Sequence, residues 1–134
     1  MDPVHELDAE TLDFAHRMFE LARGGGDRDL AHNVDAGLPV NLTNDKGDTL
    51  LILAAYHQHA DTVRVLLARG ADTGRVNDRG QTALAAAVFR RSGDVVTDLV
   101  AAGADPEAGS PSARETAAFF ALDDMSALLP PRQA

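Results

Sequence analysis

Residues 44–72 read NDKGDTLLILAAYHQHADTVRVLLARGAD, and residues 77–105 read NDRGQTALAAAVFRRSGDVVTDLVAAGAD. Asn44, Asp45, Gly47, Thr49, Leu51, Leu66, Gly70, Ala71 and Asp72 recur as Asn77, Asp78, Gly80, Thr82, Leu84, Leu99, Gly103, Ala104 and Asp105, always 33 positions on. A fixed period of this size marks stacked units, none of which buries its apolar face without a neighbour.

The repeated residues also dictate local structure. Thr49 precedes the apolar run LLILAAYH, where its hydroxyl can accept from the free N–H groups of a helix start. Ala54 and Ala55, with Ala86 and Ala87 in the second copy, are small where two helices must approach closely. Asp61 and Asp94 open a second apolar-periodic segment, and an acid there complements a helix N-terminus. Gly70 and Gly103 end those helices, since a left-handed terminal residue costs glycine little. The AD…ND.G stretches that follow are turn chemistry. Each unit reads as helix, tight turn, helix and projecting turn. The predicted fold is all-α, a short α-solenoid of helix–turn–helix units with projecting β-turn or hairpin tips.

The pattern weakens outward from the two copies. One period before Gly70 stands Gly37, and residues 30–44, LAHNVDAGLPVNLTN, resemble the end of an earlier unit. Its first helix is predicted within residues 10–25, where Leu12, Ala15, Phe19 and Ala22 share a face. One period on lies Pro111, and residues 111–129 read as a truncated last unit opened by a capping box, Ser112 with Glu115. The expected organisation is one domain over residues 1–134. It comprises a divergent unit at about 8–43, full units at 44–76 and 77–109, a partial cap at 110–130 and a tail at 131–134.

GDTLLILAAYHQHADTVRVLLARGAD resembles the ankyrin repeat, and the chain is similar to small single-domain bacterial proteins of that family. Gly25 stands where the family places its inter-helix glycine. The departures are specific. The family's Pro-Leu-His becomes Leu50-Leu51-Ile52 and Ala83-Leu84-Ala85, so the histidine network between neighbouring turns is missing. Asn33 replaces a usual leucine. The inter-helix glycine is Gln58 in one repeat and Arg91 in the next, a substitution that costs roughly 1–2 kcal/mol if the residue stays left-handed. The alternative is a rebuilt turn, with Gly93 available to absorb the change in the later repeat.

Composition bounds the function. The 134 residues carry a net charge of −9 with no cysteine and no tryptophan, so disulfides, thiolate nucleophiles and Cys-ligated metals are out. Absence of cysteine fits a reducing compartment. No apolar run reaches the roughly 20 residues of a membrane span, and the acidic start from Asp2 to Glu10 is unlike a signal peptide, so a cytoplasmic protein is expected. Eight acids against three arginines fill residues 1–30, whereas residues 44–91 hold five acids and seven basic residues. That distribution argues against a nucleic-acid binder and allows a local charge-selective protein contact. Asp8, Glu10, Asp13 and Glu20 are expected to keep the first helix's outer face polar, as a terminal unit requires.

No catalytic constellation emerges. His57 and His59 are two apart, which points them roughly 200° apart on a helix, whereas helical metal pairs need spacings of three or four. Adjacent Asp123 and Asp124 diverge by about 100° and read as a solvated face. None of the serines sits in a G-x-S-x-G turn, and Gly24–Gly26 lacks the lysine and hydroxyl of a phosphate loop. We therefore expect no enzyme, no metal and no cofactor.

What remains is surface. The resemblance implies that the projecting turns and first helices line a concave face, with contact positions at Asp45, Lys46, Asp48, Asp78, Arg79 and Gln81 on the turns. On the first helices it implies Tyr56, His57, Phe89 and Arg90. An aromatic beside a His or Arg has the composition of an interface anchor, although inter-repeat packing would also account for the rings. The expectation is a monomeric protein-interaction module, an adaptor or regulator, meeting an acidic or mixed-charge segment of a protein partner, with neither nucleic acid nor membrane. A permanent accessory or inhibitory subunit of a larger complex is the alternative.

Overall fold

Three hydroxyl side chains set the starts of three short helices. Thr49, Thr82 and Ser112 have extended backbones, and their oxygens accept from the N–H groups of Ile52, Ala85 and Glu115. At Ser112 the Glu115 carboxylate accepts in return from the Ser112 N–H at 2.9 Å, closing the capping box. The computed structural model describes residues 9–132.

Its helices are α1 (Ala9–Gly24), α2 (Asp27–Asp35), α3 (Leu50–Tyr56), α4 (Ala60–Ala68), α5 (Ala83–Phe89), α6 (Gly93–Ala101), α7 (Ala113–Phe119) and α8 (Asp123–Ser126). In one layer α1, α3, α5 and α7 pack in sequence. Behind it α2 meets α4 and α4 meets α6, and each front helix packs on the helix that follows it. Among the described residues there is no strand, only isolated antiparallel bridges Thr43–Thr49 and Gly109–Ser112 at the roots of tips. This is the all-α solenoid that the repeat predicts.

Burial differs between the layers for a geometric reason. α3 and α5 have a helix on each side and another behind, so every residue from Leu50 to Ala55 and from Ala83 to Val88 is buried. Helices enclosed in this way lose the amphipathic pattern. α4 and α6 keep it, burying Thr62, Val63 and Leu66, then Val95, Val96 and Leu99. α1 is longer, at 16 residues against seven, so its early turns extend past α3. Phe19 and Ala22 are buried as the spacing predicts and Met18 joins them, but Leu12 stays 44% exposed. Glu10, Asp13 and Glu20 are exposed on α1. Asp8 and the rest of the acidic start lie outside the described residues, as do Gln133 and Ala134 of the tail.

The inter-helix turns are not rebuilt. Gln58 (φ 63°), Arg91 (φ 55°) and Ala121 (φ 55°) each take the left-handed conformation themselves, and Gly93 is simply the first residue of α6. Only the first turn uses glycine, Gly25 at φ 81°, because a Cβ there would stand 2.8 Å from His59 Nδ1. The same imidazole donates from Nε2 to the Arg23 carbonyl at 2.7 Å, satisfying a free carbonyl at the end of α1.

The spacing of units also changes once. Thr49 to Thr82 is 33 residues, but Thr82 to Ser112 is 30. The bridge partners show where the three residues went: Thr43 and Thr49 are six apart, Gly109 and Ser112 three. Ser110–Pro111, joined by a cis peptide bond, stands where the earlier tips have a five-residue turn. Counting a full period into the last unit therefore misplaces every residue after Gly109 by three.

Across the back, Arg69 forks onto Asp35 (2.9 and 3.1 Å), Arg64 reaches Asp98 (2.8 Å) and Arg91 reaches Asp124 (2.8 Å). Exposed pairs of this kind add little stability individually but bridge one unit to the next.

Two substitutions test this account. Gln58→Gly relieves a left-handed side chain and is expected to raise unfolding free energy by about 1 kcal/mol, read as a higher urea midpoint. The Thr62 hydroxyl is buried without a hydrogen-bond partner among the described residues, and its counterpart one unit on is Val95. Thr62→Val is expected to stabilise by about 1 kcal/mol, whereas a lower midpoint would mean that the hydroxyl is satisfied.

Candidate interaction site

The tips are built by asparagine. Asn44 Oδ1 accepts from the Lys46 and Asp48 N–H groups, both at 2.9 Å, and Asn77 Oδ1 accepts from Arg79 and Gln81, both at 3.0 Å. Neighbouring tips are then tied edge to edge. The Asp78 N–H donates to the Lys46 carbonyl (3.0 Å), Asn77 Nδ2 to Asp48 Oδ1 (2.8 Å) and the Ser110 N–H to the Gly80 carbonyl (2.9 Å). A Cβ on Gly80 would lie 2.7 Å from the Ser110 carbonyl oxygen, so the close approach requires glycine. These bonds stand in for the missing histidine network.

They also correct one expectation. Asp48 is 7% exposed and its carboxylate is engaged by Asn77, so it is a strut between tips rather than a free contact position. Asp45 is exposed but borders a separate hollow beside Leu12, His16 and Phe19 of α1.

The other tip residues converge with the ends of the front helices. Lys46, Asp78, Arg79 and Gln81 face Tyr56 and His57 across a cavity of about 470 Å³, which Asp48, the Glu20-paired Arg23 and buried Ile52 and Leu53 also line. A smaller hollow of about 260 Å³ continues along the stack, lined by Tyr56, Arg79, Gln81, Phe89, Pro111 and Thr116. Arg90 lies over the Tyr56 ring, its guanidinium carbon 4.9 Å from the centroid, within cation–π range.

The rings form a row. His57 meets Tyr56 edge-on at 5.2 Å, Tyr56 stacks on Phe89 at 6.5 Å with planes 12° apart, and Phe89 meets Phe120 edge-on at 5.5 Å. Phe119 then meets Phe120 at 4.9 Å. Phe89 is 44% exposed, Phe120 50% and Phe119 82%, and Tyr56 is half-buried. Tyr56, Phe89 and Phe119 are each the last residue of a front helix. Sequence reasoning missed Phe119 and Phe120 because a constant step of 33 from Phe89 lands on Leu122. The Ser112 cap gives the register that finds them.

The charges are arranged unevenly. On the back and at the tip bases, Arg64, Arg69, Arg75, Arg91 and Arg114 each hold a carboxylate. Lys46, Arg79 and Arg90 have no acid partner within ion-pair distance among the described residues. Burial, and then the positive charges of Arg90, His59 and Arg23, push the His57 pKa below the usual imidazole value; Glu20 opposes them weakly. The ring is neutral near pH 7. No group of three or more His, Asp or Glu among the described residues is placed to hold a metal ion. No described helix is long and apolar enough to cross a membrane.

These features define a class, a solenoid of helix pairs whose tips and helix ends enclose one long groove. A family model described as Ankyrin repeats matches residues 19–110 in three copies, and the chain belongs to the ankyrin repeat family. Over 63 residues it is 56% identical to the ankyrin repeat protein PA3287 of Pseudomonas aeruginosa. That stretch is 47% of this chain and 37% of the relative, so the chain spans little more than a third of the relative's length. Ankyrin repeats are in general protein–protein interaction modules and not an enzymatic fold.

The electrostatics predict a titration. An NMR titration should place the His57 midpoint below about 6.5, and Arg90→Ala should raise it only in part, because burial is the larger cause. Since the folded-state value is depressed, the associated stability is complete above about pH 6.5 and is lost as pH falls through the His57 midpoint. His57→Gln should remove that loss from a urea-midpoint profile against pH.

Proposed function

We propose that this chain is a non-enzymatic protein-interaction module, an adaptor or regulator that works as a monomer in the bacterial cytoplasm. It holds an acidic or mixed-charge segment of one protein partner against the groove formed by Lys46, Asp78, Arg79, Gln81, Tyr56, His57, Phe89 and Arg90. One observation carries this reading: cations that form no ion pair among the described residues flank a row of accessible rings on a chain of net charge −9. Aromatic and arginine side chains together are the usual energetic centres of protein interfaces, and like-signed rim charges select and orient the partner. Nucleic acid and membrane are poor candidates for so acidic a chain.

Permanent incorporation into a complex is a second reading, favoured by the 82% exposure of Phe119, since subunits that are never free tolerate large exposed rings. Size exclusion of the chain from its host decides between them. A partner that co-elutes at nanomolar concentration means a subunit, and one that dissociates on dilution means an adaptor.

Affinity capture from the host, followed by mass spectrometry, tests the groove itself. Tyr56→Ala with Phe89→Ala should abolish capture while leaving the thermal melt nearly unchanged, and Lys46→Glu with Arg79→Glu should do the same without touching a ring. Capture that survives both pairs overturns the groove as the binding face.

A further inference from the structure

The chain has six aromatic residues, one Tyr and five Phe, and four of them lie in the single row Tyr56, Phe89, Phe120, Phe119. The row is chemically graded. At its first end are Lys46, Arg79 and Arg90, none of them in an ion pair among the described residues, around a half-buried Tyr56; they outnumber the two carboxylates of that hollow, Asp78 and the Asn77-bound Asp48. At its far end the exposed rings of Phe120 and Phe119 have no such cations among the described residues. The last tip is three residues shorter, so the unit carries no equivalent of Lys46 or Arg79. Its arginine, Arg114, is occupied by Glu107 and by the Pro130 carbonyl. Glu115 and Asp123 are exposed in the same unit. An acidic ligand is therefore attracted to one end and repelled from the other, while an apolar side chain has the opposite preference.

We propose that the docking surface is bipartite and directional, and that its apolar half lies in the C-terminal unit, beyond the residues matched by the family model. Its occupant is a segment of a protein partner that carries both chemistries. A cluster of carboxylates sits over Lys46, Arg79 and Arg90, and an aromatic or large aliphatic side chain covers Phe120 and Phe119. Phe119 and Phe120 thus set specificity in addition to capping the stack. The inference rests on the groove being the interface.

Selection from a random linear-peptide library displayed on phage, with the full chain as bait, tests it. The expected outcome is enrichment of peptides in which a run of Asp or Glu is joined to Phe, Trp, Leu or Ile in one fixed order. A synthetic peptide of the enriched sequence should bind at least about tenfold more weakly to Phe119→Ser with Phe120→Ser, and also to Lys46→Glu with Arg79→Glu. Only the second loss should be mimicked by raising salt on the unaltered chain. Phe119→Leu with Phe120→Leu should retain most of the affinity, and unchanged melts of the serine pair exclude unfolding. Basic or wholly polar winners, no winners, or an affinity indifferent to the serine pair overturn the proposal. So does concentration-dependent dimerisation that the serine pair removes, which would make a second copy the occupant. Peptides that need Lys46, Arg79 and Phe89 but ignore Phe119 and Phe120 defeat the two-part surface and leave the groove intact. Host capture indifferent to every one of these substitutions defeats the groove as well.

Discussion

Helices of seven and nine residues do not persist alone in water, and the contact between front helices is what makes them stable here. α3 and α5 meet through small side chains, with Ala54, Ala55, Ala85, Ala86 and Ala87 fully enclosed, while Leu50, Leu51 and Leu84 fill the volume around them. Small residues let backbones approach, and close approach fixes how one helix end is placed relative to the next. The row of rings follows from this. Tyr56, Phe89 and Phe119 each stand where a buried helix emerges into solvent, so their alignment is set by the packing beneath them.

Two other sets of contacts hold the same alignment from outside. The tip bonds, Asn77 to Asp48 and the backbone pairs Asp78–Lys46 and Ser110–Gly80, tie unit to unit along one edge. The pairs Asp35–Arg69, Arg64–Asp98 and Arg91–Asp124 do so on the opposite side. That division explains the charge of the groove. The back engages its arginines with acids, whereas among the described residues Lys46, Arg79 and Arg90 in the groove form no ion pair, although Asp48 and Asp78 line the same hollow. A protein with a large acidic excess thereby presents a locally positive face.

The fold was legible because its signals are local and repeated: a hydroxyl cap, a pair of small residues, an acid at the second helix start and a glycine at its end. The capping box at Ser112 and the apolar face of α1 at Phe19 and Ala22 were equally visible. The failures have physical causes. Asp48 looks like Asp45 in sequence, and only the neighbouring tip, which brings the Asn77 amide to it, distinguishes a strut from a surface charge. Gln58 and Arg91 could have marked rebuilt turns, but both keep the left-handed backbone that Gly25 takes in the first turn, which residue type alone does not reveal. Leu12 obeys the helical period yet lies past the end of its neighbour, a matter of helix length that periodicity does not encode. Phe119 and Phe120 were hidden by a deletion within a tip, which a fixed step cannot detect.

That deletion has a consequence for the shape of the groove. The first two tips rise as a parapet along one bank, hydrogen-bonded to each other through Asp78 to Lys46 and Asn77 to Asp48. At Ser110–Pro111 the parapet drops, and beyond it the bed continues unwalled past Phe120 to Phe119. A partner segment laid along the rings, as proposed above, would have full tips beside it over the early units and only the short Ser110–Pro111 turn beside it at the last one.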